Sequence, residues 1–230
     1  MESYKYEFGA ALIVIVDLNL KGNLVIVVGA GQEGLKKVNS LLTQDCKILV
    51  ISNKANTQIK RFADDGKIEF KKERLHDANF LDGYEPLLVM AATDDKELNR
   101  KIVQKAKEKR CYAYAADDPQ VSDFAHPSVI NIQDTVQVAI STGGKSPAMA
   151  RKIKLKAEKI FNQIIDKDDI HQIKLQKIAR DAAKSKIPTV LGRKKFLHSV
   201  LNNNTIKQLL KEDKFRLAEK EVMKILEEWN

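Results

Sequence analysis

Cysteine is scarce in this chain, and so are long apolar stretches. Cys46 and Cys111 are isolated, each beside a predicted strand, which favours small core residues over a disulfide or a metal pair. The longest apolar run, Ala10–Val16, is far too short to cross a bilayer, and no basic signal-peptide region precedes it. The histidines show no metal-ligand spacing. We therefore expect a cytoplasmic protein with no membrane partner and no metal site.

Charge is plentiful but unevenly placed. Residues 1–150 contain 20 Lys and Arg against 20 Asp and Glu, whereas residues 151–230 contain 20 against 11. The whole net charge of +9 therefore lies in the last third, which indicates either an anionic partner or a solvated helical surface. Because no aromatic residues interleave with the basic run Arg193-Lys194-Lys195, nucleic acid is not the predicted partner.

Residues 21–53 are the most informative stretch. The apolar run Leu24–Val28 predicts a buried strand, and a G-x-G-x-x-G motif follows it directly, before an apolar repeat of helical spacing. In this context the glycines permit a tight turn, a close approach of pyrophosphate and close helix packing. The motif therefore predicts dinucleotide binding, with Gly29, Gly31, Gln32, Glu33 and Gly34 as cofactor-binding candidates.

The second predicted strand, Lys47–Ser52, ends without the acidic residue that usually binds the ribose of NAD. Ser52 and Asn53 can still hydrogen-bond a ribose, and both are cofactor-binding candidates. Because the Lys54 cation is compatible with the 2′-phosphate of NADP, NADP stays an alternative to NAD as the cofactor.

Strands and helices alternate through the next part of the chain. Leu87–Ala92 predicts a central strand, and Cys111–Ala116 predicts another. This alternation is typical of an α/β fold with a Rossmann-like parallel sheet, whose ligands bind at the carboxyl ends of the strands. Thr93-Asp94-Asp95 follows one such end and is predicted to cap a helix, with Thr93 and Asp94 as further cofactor-binding candidates.

Asp117-Asp118-Pro119 follows the fifth predicted strand and has two interpretations. A carboxylate beside a nicotinamide can accept the proton that is released when a substrate loses hydride. Equally, Asp before Asp-Pro is a common turn initiator. Position alone leaves both open.

The remaining pattern predicts two further strands, Val129–Asn131 and Val136–Ile140, and then only helices. Between the second of these strands and the first helix, Ser141–Ser146 resembles an anion cradle but lacks the spacing of a P-loop. Ser146-Pro147 predicts the start of the helix. We predict a dinucleotide-binding domain over residues 1–112, a dimerisation and active-site segment over 113–150, and an all-helical region over 151–230.

These blocks together resemble the precorrin-2 dehydrogenase and siroheme synthase family. The matching residues are Asp17–Gly22, Val27–Gly31 with Lys36-Lys37, Ala91–Asp95 with Asn99, Asp117–Pro119, Phe124 with Pro127-Ser128, and Val138–Pro147 with Ala150-Arg151. Three residues depart from the family pattern: Tyr114 replaces an asparagine, His126 stands where an apolar residue is common, and Gly34 replaces an alanine.

The resemblance implies NAD-dependent oxidation of the polycarboxylate tetrapyrrole precorrin-2 to sirohydrochlorin by a homodimer, with ferrochelatase activity left open. It makes Asp117 the key catalytic carboxylate. It also matches Thr142 to a serine that lines the tetrapyrrole site. The further substrate-binding candidates are Gly143 and Lys145 in the predicted anion cradle, and His126.

A second class of protein shares the glycine motif. An NAD-sensing regulatory module with a basic helical tail for a partner would need neither Asp117 nor the loop Ser141–Pro147.

Overall fold

A computed structural model describes residues 15–229, which form two compact units that divide between His126 and Pro127. Part of the apolar run Ala10–Val16 lies outside the described residues. The boundary between His126 and Pro127 differs from the predicted one after residue 112, because Tyr112–Ala115 is a strand of the main sheet.

Unit 1 is a five-stranded parallel sheet with helices on both faces. Its strand order is β3-β2-β1-β4-β5, which confirms the predicted Rossmann-like fold. The strands are β1 (Leu24–Ala30), β2 (Lys47–Ala55), β3 (Glu69–Lys72), β4 (Leu88–Ala91) and β5 (Tyr112–Ala115). The helices are α1 (Gln32–Leu41), α2 (Thr57–Asp64) and α3 (Lys96–Glu108), and a short 3₁₀ helix covers Asn79–Gly83.

The central strand is β1, not β4 as predicted. Ile26 and Val28 contribute to the core on the α3 face, whereas Val25 and Val27 contribute to the core on the α1 and α2 face. Alternate residues of one strand point to opposite faces, so a continuous apolar run is what a strand covered on both sides requires. An apolar run therefore predicts a strand covered on both faces, but it does not predict which of these strands is central in the sheet.

Unit 2 begins with an antiparallel hairpin and continues as helices. Its strands are β6 (Ser128–Ile132) and β7 (Val136–Ile140), and its helices are α4 (Pro147–Ile164), α5 (Lys167–Lys186), α6 (Val190–Asn202), α7 (Asn204–Lys211) and α8 (Phe215–Glu227). Between residues 151 and 229 the structure describes helices and no strand, as predicted. The helices α5 to α8 share one core, in which Phe196 is fully buried.

Side-chain caps explain where these helices begin. Ser146 accepts a hydrogen bond from the Met149 N–H at 3.3 Å, with Pro147 in the first turn, which confirms the predicted helix start. Asp166 and Asp169 form a reciprocal capping box, so α5 begins at Lys167.

Candidate dinucleotide site and catalytic carboxylate

A crevice of about 650 Å³ lies at the carboxyl ends of the strands in unit 1. The glycine turn after β1, the end of β2, the segment after β3 and the segment after β4 line it. Of the predicted cofactor-binding residues, Gly29, Gly31, Ser52, Asn53, Thr93 and Asp94 line the crevice. Gln32, Glu33 and Gly34 are not part of its wall but form the first turn of α1.

The three glycines of the motif have three different physical roles. Gly29 has φ +106°, and a Cβ there would lie 2.3 Å from the Ala92 carbonyl oxygen, so only glycine fits beside the end of β4. A Cβ on Gly34 would lie 1.9 Å from the Gly29 carbonyl oxygen. The departure from the family's alanine at Gly34 is therefore required by how closely this helix packs on β1. By contrast, a Cβ on Gly31 would meet nothing within 4 Å.

Gly31 is also the N-cap of α1, and it has no side chain to occupy the first-turn N–H groups. These groups carry the positive end of the helix dipole, which is where Rossmann folds hold a pyrophosphate. An open approach at Gly31 and free N–H donors behind it fit a dinucleotide. The local geometry thus agrees with the role that the motif predicts.

Sequence reasoning named no role for Asn56, which connects two walls of the crevice. Its side chain accepts a hydrogen bond from the Ile59 N–H at 2.8 Å and so caps α2. The backbone N–H of Asn56 donates to the Ala30 carbonyl at 3.3 Å. This contact ties the end of β2 to the glycine turn. An N-cap signal before α2 was visible in the sequence, but the contact to Ala30 was not.

Asn99 links the segment after β4 to the segment after β5. It is fully buried, and its Oδ1 accepts hydrogen bonds from the Thr93 hydroxyl at 2.6 Å and the Thr93 N–H at 3.2 Å. Its Nδ2 donates to the Thr93 carbonyl at 3.0 Å and to Oδ1 of Asp117 at 2.8 Å. Asp117 is exposed and does not line the crevice wall, but this amide ties its carboxylate to Thr93, which does.

The neighbouring carboxylate has a different environment. Asp118 accepts a hydrogen bond from the Gln120 N–H at 3.1 Å and pairs with the Arg100 guanidinium, also at 3.1 Å. The hydrogen bond from Arg100 is the main cause that lowers the pKa of Asp118. Asp118 therefore stabilises the turn, and Asp117 is the carboxylate free to meet a ligand. Asp95, in turn, is the N-cap of α3, accepting from the Leu98 N–H at 3.0 Å.

Two departures from the family pattern lie in contact. The rings of Tyr114 and His126 are 4.9 Å apart, and Phe124 lies 5.4 Å from each of them. The ammonium of Lys37, which is 9% exposed, donates to the Tyr114 hydroxyl at 3.1 Å and lies 4.2 Å from the ring centroid. Tyrosine and histidine at these positions thus form one cluster against α1.

Burial within this cluster changes the charge of its members. It is the main cause that lowers the pKa of Lys37 and raises the pKa of Tyr114. Although His126 is exposed as a residue, its ring lies against Tyr114 and Phe124. Loss of water around the ring and the nearby Lys37 ammonium lower the pKa of His126 to about 4. His126 is therefore neutral at pH 7 and can offer hydrogen bonds but not positive charge.

The loop predicted to bind anions lies in unit 2. Gly143 and Gly144 have φ values of +61° and +78°. The Thr142 hydroxyl accepts from the Ser146 N–H at 3.1 Å, and the Ser141 hydroxyl accepts from the Gly143 N–H, also at 3.1 Å. Lys145 is exposed. The two hydroxyls shape the loop, which leaves Lys145 as its charged group.

Two negative findings apply to the described part of the chain. Within residues 15–229, no group of three or more His, Cys, Asp or Glu side chains is placed to hold a metal ion. No helix in the same residues is long and apolar enough to cross a membrane. Cys46 and Cys111 are free thiols, and each contributes to the hydrophobic core of unit 1, as predicted.

The sheet order, the glycine turn and the crevice define a dinucleotide-binding protein of the Rossmann class. Residues 16–128 match a family model described as "Putative NAD(P)-binding", and residues 133–156 match one described as "Sirohaem biosynthesis protein central". Over these two segments the chain is therefore similar to NAD(P)-binding and sirohaem-biosynthesis proteins.

Individual relatives agree with this similarity. The chain is 30% identical over 215 residues to a siroheme synthase of Neisseria meningitidis and 31% identical over 217 residues to one of Actinobacillus succinogenes. Each alignment covers 91% of this chain and 42% of the relative, so the chain spans less than half the length of these relatives. A solved structure named "SirC, precorrin-2 dehydrogenase" has the same fold, with a TM-score of 0.65 and 19% identity over 92% of this chain and 100% of that one.

Proposed function

We propose that this protein oxidises precorrin-2 to sirohydrochlorin with NAD⁺ as the electron acceptor. The observation that carries the proposal is the chain of hydrogen bonds Thr93–Asn99–Asp117, which ties an accessible carboxylate to the edge of the dinucleotide crevice. The names of the relatives and of the similar structure support the choice of substrate, since they are siroheme synthases and a precorrin-2 dehydrogenase.

The reaction removes one hydride and one proton from the macrocycle, so that precorrin-2 and NAD⁺ give sirohydrochlorin, NADH and H⁺. When bound, the nicotinamide supplies the hydride acceptor. Asp117 accepts the proton, and because its carboxylate is exposed it can release that proton to water. Asn99 keeps one carboxylate oxygen oriented, which leaves the other free for the substrate.

The remaining substrate-binding candidates are also part of the proposal. Lys145 is a cation suited to a tetrapyrrole carboxylate. Thr142 is followed by Gly143 and Gly144, whose positive φ values suit a backbone turn that binds an anion. In residues 15–229, Lys145 has no ion pair that would compete for it. His126 is proposed to contact the substrate as a neutral hydrogen-bonding group.

A homodimer is part of the proposal, and the exposed apolar surface of unit 2 supports it. Of the 18 residues of α4, only Ala150 is buried. A second copy would cover apolar side chains of β6 and α4 that otherwise face water. The exposed ones are Val129, Met149, Ile153, Leu155, Ile160 and Ile164.

Sedimentation measurements test the dimer. Ile153→Asp combined with Ile160→Asp is expected to give monomers, whereas Val190→Asp, at a residue 75% exposed on α6, should not change the mass. A monomeric parent protein would contradict the proposed assembly. The predicted cytoplasmic location stays a prediction.

The central test is incubation of the full chain with precorrin-2 and NAD⁺. We expect NADH absorbance and the sirohydrochlorin spectrum to appear together. Binding of NAD⁺ without either signal would instead favour the NAD-sensing regulatory module. Adding Fe²⁺ to the product and following its spectrum decides separately whether ferrochelatase activity is present.

A further inference from the structure

We propose that the crevice also accepts NADP⁺, with Lys54 and Arg74 holding its 2′-phosphate. This inference rests on dinucleotide binding in unit 1 but not on the identity of the tetrapyrrole substrate. It concerns the end of the crevice formed by β2 and the segment after β3, which the proposed reaction does not use.

The first support is the chemistry at the end of β2. NAD-specific Rossmann folds place an acidic side chain there, which binds the ribose hydroxyls and repels a phosphate. Here that end reads Ser52-Asn53-Lys54, and all three residues line the crevice. The group that would exclude NADP⁺ is therefore absent from this strand end, and a cation stands beside it.

The second support is a neighbouring cation that is distant in sequence. The Glu73 N–H donates to the Ser52 carbonyl at 3.1 Å, continuing the parallel pairing in which Ser52 lies opposite Lys72. This hydrogen bond places Arg74 next to the end of β2, and Arg74 lines the same crevice as Lys54. A guanidinium can bind a phosphate through two parallel hydrogen bonds.

The third support is that these cations are not neutralised. Within residues 15–229, neither Lys54 nor Arg74 has an ion pair. Glu73, which precedes Arg74 and lines the same crevice, pairs with the Lys71 ammonium at 2.8 Å. His76 lines the same wall and adds a hydrogen-bonding group. Two exposed, unpaired cations at the ribose end suit a dianionic phosphate.

Titration calorimetry on the full chain tests the proposal. The ligands are NAD⁺ and NADP⁺, together with adenosine 5′-monophosphate and adenosine 2′,5′-bisphosphate, which differ from each other only in the 2′-phosphate. We expect NADP⁺ to bind at least as tightly as NAD⁺, and its affinity to fall more steeply with salt.

Variants locate the contact. Lys54→Ala and Arg74→Ala should each weaken NADP⁺ by about 10-fold, and NAD⁺ by less than about twofold. Lys72→Ala is the matched control, because Lys72 is exposed on β3 opposite Ser52 but does not line the crevice. Unchanged NAD⁺ binding in each variant shows that the crevice is intact.

Three results would overturn the inference. These are NADP⁺ affinity more than about tenfold below that of NAD⁺ in the parent, equal losses for both dinucleotides in the variants, and the same loss in the Lys72→Ala control. These outcomes leave the precorrin-2 assay with NAD⁺ untouched. Conversely, NADP⁺ binding without precorrin-2 turnover would reject the proposed reaction and support this inference.

Discussion

The side-chain amide of Asn99 donates a hydrogen bond of 2.8 Å to Oδ1 of Asp117, and the same amide is bonded to Thr93. Asn99 lies in the first turns of α3, whereas Asp117 follows β5. One buried side chain thus joins the ends of two adjacent strands, and it does so at the carboxyl edge of the sheet. This relationship gives the catalytic proposal its most direct tests.

Asp117→Asn should abolish most turnover while preserving binding. Asparagine keeps the size and a hydrogen-bonding group but cannot accept the substrate proton, so kcat should fall by roughly 10²- to 10⁴-fold. NAD⁺ affinity should stay near that of the parent. Steady-state kinetics and calorimetry measure the two quantities.

Asp118→Asn serves as the control for this substitution. Asp118 pairs with Arg100 and supports the turn, so its replacement should lower stability slightly and kcat far less. Equal losses of kcat in both variants would show that the substitutions act by disrupting the turn rather than by removing a catalytic base. Near-normal turnover in Asp117→Asn would end the catalytic assignment.

Asn99→Asp should test whether Asn99 positions the catalytic carboxylate. The substitution is nearly isosteric but replaces the donating amide with a second carboxylate 2.8 Å from Oδ1 of Asp117. Like charges disfavour ionisation of both groups, so the acidic limb of the kcat profile should move to higher pH. Asn99→Ala would remove the hydrogen bonds altogether and should lower stability by about 1–3 kcal/mol. A pH profile unchanged in Asn99→Asp would show that Asn99 has only a structural role.

Two glycine substitutions should have opposite consequences. Gly31→Val places a side chain in open space at the mouth of the crevice, so the fold should persist while NAD⁺ binding is lost. Gly34→Ala places a Cβ 1.9 Å from the Gly29 carbonyl oxygen, so the free energy of unfolding should fall by about 1–3 kcal/mol. Thermal unfolding and NAD⁺ titration separate the two effects. Unchanged NAD⁺ affinity in Gly31→Val would mean that the loop is only structural.

The histidine at the end of unit 1 should make stability depend on pH. The pKa of His126 is about 4 in the folded protein and 6.5 unperturbed, so the unfolded chain binds the proton more readily. The stabilising contribution is therefore complete above pH 6.5, and the free energy of unfolding should fall as pH decreases from 6.5 to about 4. Urea unfolding at several pH values should show a flatter dependence in His126→Phe.

Charges of the helical region should assist substrate binding through long-range attraction. If they attract a polycarboxylate tetrapyrrole, its KM should rise with salt while the KM for NAD⁺ changes much less. Lys194→Gln with Lys195→Gln should flatten that dependence without loss of stability, because both side chains are exposed. Arg193 is unsuitable for this test, since its guanidinium donates to the Ile187 and Pro188 carbonyls at 2.8 and 2.9 Å. An unchanged dependence of the substrate KM on salt would show that the two lysines do not contribute to substrate binding.

Local and periodic information in the sequence determined much of this structure. Apolar runs located the strands because doubly covered strands need them, and the G-x-G-x-x-G motif located the turn after β1. Ser146-Pro147 fixed the start of α4 through a contact that spans three residues. Each of these signals works over a few residues, so a single sequence carries it.

Only the tertiary structure decided the contacts that join distant segments. The central position of β1, the bond from Asn99 to Asp117, and the proximity of Arg74 to the end of β2 all depend on how strands order themselves in the sheet. For Gly34 the motif predicted close packing of helix on strand, but only the structure shows that α1 and β1 are too close for any Cβ at this position. Strand order and packing distance follow from the burial of all side chains together, and no short stretch of sequence encodes them.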